Sequence, residues 1–383
     1  MTGEIGSLGE LAAGSGGVLV CAEALGAGWS AGMLVRRLRK EGWRKVRAGV
    51  WVEPGRVDDF RLRLRVAQAG RPELVVSHSA AAHLFGVEVL AVRPEFTHVR
   101  GRGRAPEGCL LHRTAVSDEE IVSVAGLRVT DAARTLVDLL RTAERDAALV
   151  AVESALTRRP LGPAGGWPRR WREQVTDLHA VSEALAGIGQ RRGVVQARQR
   201  LSLVDPRSES PAETVARLRM YDAGLRPLSQ VPFTAPNGRR IRVDFFFPVA
   251  GLVVEIEGYG FHGGRAAHLA DVERFNDLGR CPEVRRMLRF TAADVFERPQ
   301  RMVHTIRAAL GEIAAGESRG TAVGGGSRGT ATAGRSRGAA VGAAAAATAA
   351  AYAVAGAAAS AGAVASGAAG AQATASASAT VAA

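Results

Sequence analysis

The chain has 383 residues, enough for two or three domains, with 47% hydrophobic residues to build cores and a formal net charge of +13. Its cations are nearly all arginine, Lys40 and Lys45 being the two lysines, and a surplus of this size favours a polyanionic partner because the planar guanidinium offers phosphate two hydrogen bonds at once. Cys21, Cys109 and Cys281 are too scattered for a disulfide framework or a cysteine metal motif and point to a reducing cytosol. A G+C-biased genome accounts for the choice of Arg over Lys, though not for the excess charge.

The acidic, Gly-rich start (residues 1–16) reads as a flexible lead-in rather than a secretory signal. From 17 to 55 the pattern is helix (Cys21 to Leu25), Gly26/Gly28 turn, helix capped by Ser30 and ended by Gly42, then an alternating Trp43 to Val52 with a Gly49 turn. Helix, turn, helix and two-stranded wing make a winged helix-turn-helix. Its helix carries Arg36, Arg37, Arg39 and Lys40 and its wing Arg44, Lys45 and Arg47. Side chains of this type bind phosphates and guanine edges, although Arg on an exposed face is also commonly just solvated.

Residues 56–205 read as an α+β middle region. Strands are expected at Leu74 to Val76, near Phe96 to Val99 and at Cys109 to Arg113, with helices at Ser79 to Phe85, Thr130 to Arg141, Arg145 to Leu156, Val181 to Leu185 and Val194 to Leu201. Thr130 is the expected cap of its helix, and Arg134 and Asp138, four apart, are expected to pair. Gly162 to Trp171 reads as a loop insertion. His78 and His83 have no evident acidic partner in the sequence, so no metal is expected there.

From 206 to 315 the expected order is helix (Pro211 to Ala223), hairpin (Leu228 to Phe233 and Arg240 to Phe247, turning at Pro236-Asn237-Gly238), buried strand (Leu252 to Glu257), helix, strand (Arg285 to Phe290) and closing helix: a mixed α/β domain. Residues 316–383 are Ala, Gly, Ser and Thr almost alone and read as a disordered tail, since they have no large side chains to bury. Outside this tail no run of about 20 apolar residues marks a membrane span.

The chemistry concentrates in R-V-D-F-F-F-P and L-V-V-E-I-E-G. Asp244 sits on the second hairpin strand, Glu255 and Glu257 on the next. Residues two apart on a strand share a face, so the two glutamates lie together and repel unless a cation or proton joins them. Hydrolysis of a phosphodiester uses hard divalent cations held by such carboxylates. The competing reading is a solvent-facing strand with ordinary surface acids.

An acid followed after about ten residues by E-x-E resembles the PD-(D/E)xK nuclease pattern, with Glu257 where Lys usually stands. Ser210-x-x-Glu213, G-Y-G-F-H (Gly258 to His262), D-x-x-R-x-N-x-L (Asp271, Arg274, Asn276, Leu278) and L-R-F (Leu288 to Phe290) together resemble the very-short-patch mismatch-repair endonuclease superfamily and its bacterial relatives. The first unit resembles the AbiEi-type antitoxin winged helix. This resemblance implies a restriction-endonuclease-like C-terminal domain, with Asp244, Glu255 and Glu257 as Mg²⁺ ligands (Mn²⁺ substituting), His262 as general base or acid, Glu213 reaching the site and Arg274 holding phosphate. Each has an alternative: a capping box for Ser210 and Glu213, packing beside Phe261 for His262, a structural ion pair for Arg274. The Gly-Trp usual before the last strand is absent, and so is the lysine. The implied function is a cytoplasmic, metal-dependent DNA endonuclease acting in defence, mobile-element control or repair, with no membrane association and a protein partner or homodimer open. The alternative is a non-catalytic DNA-binding regulator or antitoxin-like protein.

Overall fold

The structure, a computed structural model, describes residues 7–101, 103–157, 159–161, 170–257 and 265–323. It divides into two compact units, Met1–Thr214 and Val215–Ala383, and is mixed α/β.

The first unit opens with α1 (Leu8–Ala13), where a flexible lead-in was expected. A capping box starts it: Ser7 N donates to Glu10 Oε2 at 2.7 Å and Glu10 N to Ser7 Oγ at 3.2 Å. Buried Leu8 and Ala12 hold it on a core with Leu19, Leu34, Leu38, Trp43 and Trp51. Then come β1 (Val18–Val20), α2 (Cys21–Gly26), α3 (Ala31–Lys40), β2 (Arg44–Arg47) and β3 (Val50–Val52). The strands form an antiparallel sheet in the order β1-β3-β2, turning at Gly49 with φ 70°. Ser30 occupies the N-cap position of α3, with no side-chain cap bond.

The same unit continues with α4 (Phe60–Gln68), β4 (Leu74–Val76), α5 (His78–Leu84), β5 (Glu95–His98), β6 (Leu110–His112), β7 (Ile121–Val124), β8 (Leu127–Thr130), α6 (Ala132–Thr142) and α7 (Arg145–Leu156). The strands β9 (Arg159–Leu161) and β10 (Arg170–Arg172) pair antiparallel at the base of the expected insertion, whose residues 162–169 lie outside the described ones. The helices α8 (Leu178–Gly187) and α9 (Val194–Leu201) follow. A five-stranded mixed sheet runs β6-β5-β4-β8-β7. Leu136, Leu140, Val152, Val181 and Ala197 share the helical core.

The cap of α6 is Asp131, accepting from Arg134 N at 2.8 Å, and not Thr130. Thr130 ends β8 and bonds Thr135 Oγ1 at 2.7 Å inside the core. The expected Arg134–Asp138 pair forms at 2.8 Å with both residues almost fully buried, and it extends to Glu120 and Arg141.

The helix α10 (Pro211–Asp222) leads into the second unit, which holds β11 (Leu228–Thr234), β12 (Arg240–Phe247), β13 (Leu252–Glu257), α11 (Arg265–Leu278), β14 (Arg286–Thr291), α12 (Ala292–Phe296) and α13 (Pro299–Val323). The sheet order is β11-β12-β13-β14, antiparallel for the first two pairings and parallel for the last. A parallel neighbour needs a crossover, and α11 supplies it. Leu252 to Ile256 are all buried, as an interior strand requires. The last helix runs to Val323, past the expected domain end at 315; the rest of the expected tail lies outside the described residues. Among the described residues no helix is long and apolar enough to cross a membrane.

Candidate functional site

Register brings the acids together. The pairing of β11 with β12 sets Ser229 against Phe245 and Val231 against Val243, so Gln230 faces Asp244. The pairing of β12 with β13 begins Phe245↔Val254; extended by one residue, it sets Asp244 opposite Glu255. In the parallel pairing Glu255 is matched with Arg289. Directly opposed residues share a face of the sheet. One row therefore crosses all four strands: Gln230, Asp244, Glu255, Arg289.

The row is held by specific bonds. Asp244 Oδ2 accepts from Ile256 N at 2.8 Å, taking a backbone donor just past the last matched pair of β12 and β13. Its Oδ1 accepts from Gln230 Nε2 at 3.2 Å. Gln230 has φ 55°, a left-handed conformation uncommon for a non-glycine residue, and it sits mid-strand. Glu255 is 7% exposed and accepts from Arg274 Nη2 at 2.8 Å. Arg274 also donates to Arg242 O at 2.8 Å, joining α11 to β12. Glu257 pairs with Arg289 Nε at 2.6 Å, and Arg289 Nη2 reaches Asp271 Oδ2 at 2.8 Å while its guanidinium lies over the Phe275 ring, 4.1 Å from the centroid.

These surroundings perturb one group strongly. Burial, then the neighbouring Asp244 charge, push the Glu255 carboxyl up to about 7, against the opposing pull of Arg274 and Arg289. Two carboxylates facing each other on adjacent strands thus hold a proton near neutrality, and a cation can take the place of that proton.

The remaining expected residues fall as follows. Glu213 is buried at the start of α10, where its carboxylate accepts from Ser210 Oγ and Glu209 N, both at 2.8 Å, and Glu213 N donates to Ser210 Oγ at 3.1 Å. These are the contacts of the capping alternative. His262, with the G-Y-G-F-H segment, lies outside the described residues. Arg36, Arg37, Arg39 and Lys40 on α3 and Arg44 and Lys45 on β2 are exposed, Arg37 being paired with Glu41. Arg47 differs: it is half-buried, donates to the carbonyls of Val66 and Ala69, and so fastens its strand to the segment around α4. Gln230, Asp271 and Arg289 were not among the expected site residues. Asp271 and Arg289 stand inside motifs visible in the sequence, whereas Gln230 has no such signal.

His78 does have an acidic partner nearby, contrary to the reading of the sequence. Glu95 on β5 and His112 on β6 come beside it, and donor atoms of all three lie within 4.8 Å of one another. Among the described residues this is the group of three potential ligands that closes so tightly; the three acids of the second unit are instead each drawn to separate partners. Burial pushes the His78 imidazole down to about 3, and His112 adds to that shift. Burial alone would raise the Glu95 carboxyl, but hydrogen bonds from His112 and Ser79 hold it below its ordinary value.

No family model matches the chain. A stretch of 178 residues is 32% identical to the uncharacterized proteins MT2308 and Rv2248, each from a strain of Mycobacterium tuberculosis, covering 46% of this chain and 59% of theirs. The chain thus spans less than two thirds of the curated relatives it matches. A crystal structure of the RV2827C protein from Mycobacterium tuberculosis aligns with 60% of this chain and 87% of that one, at 16% identity and a TM-score of 0.34, too low to carry an argument about the fold.

Proposed function

We propose that the protein is a metal-dependent DNA endonuclease, with a restriction-endonuclease-like second unit and a DNA-binding winged helix at the start of the first. The observation that carries this reading is the facing pair Asp244 and Glu255, two oxygen-donor side chains on adjacent strands, where burial and then the Asp244 charge raise Glu255 to about 7. Such a pair fits Mg²⁺, which takes one or two carboxylates and keeps waters in its other positions. When bound, the ion would supply charge neutralisation and an activated water. Asp244 and Glu255 would hold it. Arg289, matched with Glu255 on the neighbouring strand, would bring the positive charge that the family's lysine brings, and Arg274 would turn toward phosphate.

The exposed cations of α3 and β2 support DNA as the polyanion, by phosphate contact. The test is cleavage of supercoiled DNA with Mg²⁺ by the full chain beside Asp244→Ala and Glu255→Ala. Loss of cleavage in both variants is expected; equal cleavage by all three refutes the assignment.

A second reading is a non-catalytic DNA-binding regulator. It draws on Glu255 and Glu257 being already paired with Arg274 and Arg289, which lets the acidic row close without a cation. Calorimetry with Mn²⁺ separates the two: the nuclease reading requires binding that Asp244→Asn removes, the regulator reading requires none.

A further inference from the structure

The first unit contains a second cluster of ligand-type side chains, built from elements that the acidic row does not use. His78 opens α5, Glu95 opens β5 and His112 closes β6. The strands β5 and β6 run parallel side by side, and β5 pairs with β4, the strand leading into α5, so three short elements converge on one spot. His78 and Glu95 are buried, as are Ser77 and Thr97 around them, while the His112 side chain keeps 19% of its exposure and gives the only partly open member. The two imidazoles lie face to face, 3.4 Å between centroids and 12° between planes, and His112 Nε2 is 2.7 Å from Glu95 Oε2.

The hydrogen bonds around the three groups divide their atoms in a consistent way. Ser77 Oγ holds His78 Nδ1 at 2.9 Å and is itself bonded by Thr97 Oγ1 at 2.9 Å, so the nitrogen left to a ligand is Nε2. Ser79 Oγ donates to Glu95 Oε1, so the oxygen turned to His112 Nε2, and the one an ion would take over from that ring, is Oε2. Hydroxyls that grip the far atom of each donor are what orient metal-binding histidines and carboxylates and fix their tautomer. The backbone is unusual here as well: His78 has φ 52°, a left-handed conformation rare outside glycine, and its ring lies on that of His112 on β6. Arg134 and Arg141 lie near the cluster, but their charges are matched by Asp138 and Glu120.

We propose that His78, Glu95 and His112 form a Zn²⁺ site, with Ser77 and Ser79 as the hydroxyls that orient its ligands. Two imidazole nitrogens and one carboxylate oxygen suit zinc, the partly open His112 ring turning out of its stack on His78 so that both in-plane lone pairs reach one ion, and three protein ligands leave a fourth position for water or a ligand. The ion would tie α5, β5 and β6 together where the sheet has its edge, so its binding stabilises this unit.

The test uses the full chain, stripped with chelator and titrated, in excess Mg²⁺ to fill an all-oxygen site, with Co²⁺ and then Zn²⁺. Expected is one equivalent of Co²⁺ with visible absorption of a low-symmetry, nitrogen- and oxygen-ligated ion, its displacement by Zn²⁺, and a rise in Tm on Zn²⁺ addition. Glu95→Gln and His112→Gln should weaken binding more than about 100-fold, and Ser79→Ala by about 10- to 100-fold, the range for an orienting neighbour. His112→Gln, at the least buried member, is the variant best placed to keep its fold, which far-UV circular dichroism checks. With Mg²⁺ in excess at the carboxylate pair of the other unit, Co²⁺ uptake reports this site alone, so failure here and failure of the nuclease reading are separable. No stoichiometric Co²⁺ uptake by the wild-type chain, or uptake that persists in both Glu95→Gln and His112→Gln, overturns the site and leaves the cluster a buried hydrogen-bond network.

Discussion

Replacing Glu255 by Gln tests the electrostatic core of the acidic row. The Glu255 carboxyl ionises near 7 in the folded protein, because of burial and then Asp244, against an ordinary value of 4.5. Between those two values the folded state carries a proton that the unfolded chain has released, so stability falls as pH rises from about 4.5 to about 7 and then levels. The full difference is worth about 3 kcal/mol, an upper figure that solvent access through the partly exposed Arg274 reduces. Gln keeps the shape and removes the titration. It also leaves Arg274 without a charged partner above about pH 7, an interaction whose pH dependence is already contained in the Glu255 ionisation.

The measured quantity is therefore the change, between pH 5 and pH 8 in chelator, of the unfolding free-energy difference between wild type and Glu255→Gln. That difference should move by roughly 2 to 3 kcal/mol in favour of the variant. Urea unfolding followed by far-UV circular dichroism reports it. All five tryptophans belong to the first unit, so their emission serves as an internal control that the substitution leaves unchanged. A difference that stays constant from pH 5 to pH 8 would refute the reasoning, and with it the idea of a repelling carboxylate pair.

Arg134→Met should destabilise the first unit by about 3 to 5 kcal/mol, because Asp138 would be left as a buried charge with only Arg141 beside it; tryptophan-monitored urea unfolding measures this. Gly251→Ala should cost upward of about 1 kcal/mol, since φ is 63° and the added Cβ would lie 2.7 Å from Glu283 O; a drop in the second unit's unfolding midpoint is the expected sign. Arg36→Ala with Arg39→Ala should weaken binding to a random DNA duplex at low salt and lower the slope of log K against log salt by about 2, as fluorescence anisotropy would show; an unchanged slope removes α3 from the interface.

Much of the second unit is legible in the sequence because its signals are local. The β12 and β13 segments are apolar runs with bounds set by turn residues, and they occur at Arg240–Phe247 and Leu252–Glu257 as expected. The helices Arg145–Leu156 and Val194–Leu201 follow from periodicity in the same way. Elements that went unread have weak or atypical local signals. The helix α1 is a single capped stretch hidden in a Gly-rich start. The hairpin of β7 and β8 turns at Ala125 and Gly126, with φ 50° and 79°; two successive positive φ values make a tight turn, but alanine is an unusual residue for the first of them.

The site residues divide along the same line. Sequence by itself determined that Glu255 and Glu257 share a face, since alternation along a strand is a property of the strand alone. It also determined that Arg134 and Asp138 pair, since four residues is one helical turn. Only the tertiary structure decided which groups meet across strands: that Asp244 stands opposite Glu255, that Glu255 is matched with Arg289, and that Arg47 serves packing. It also decided that His78, apparently partnerless in sequence, lies against Glu95 and His112. Register and strand order are set by long-range burial of apolar faces, and no pattern within a single segment encodes which strand will lie beside it.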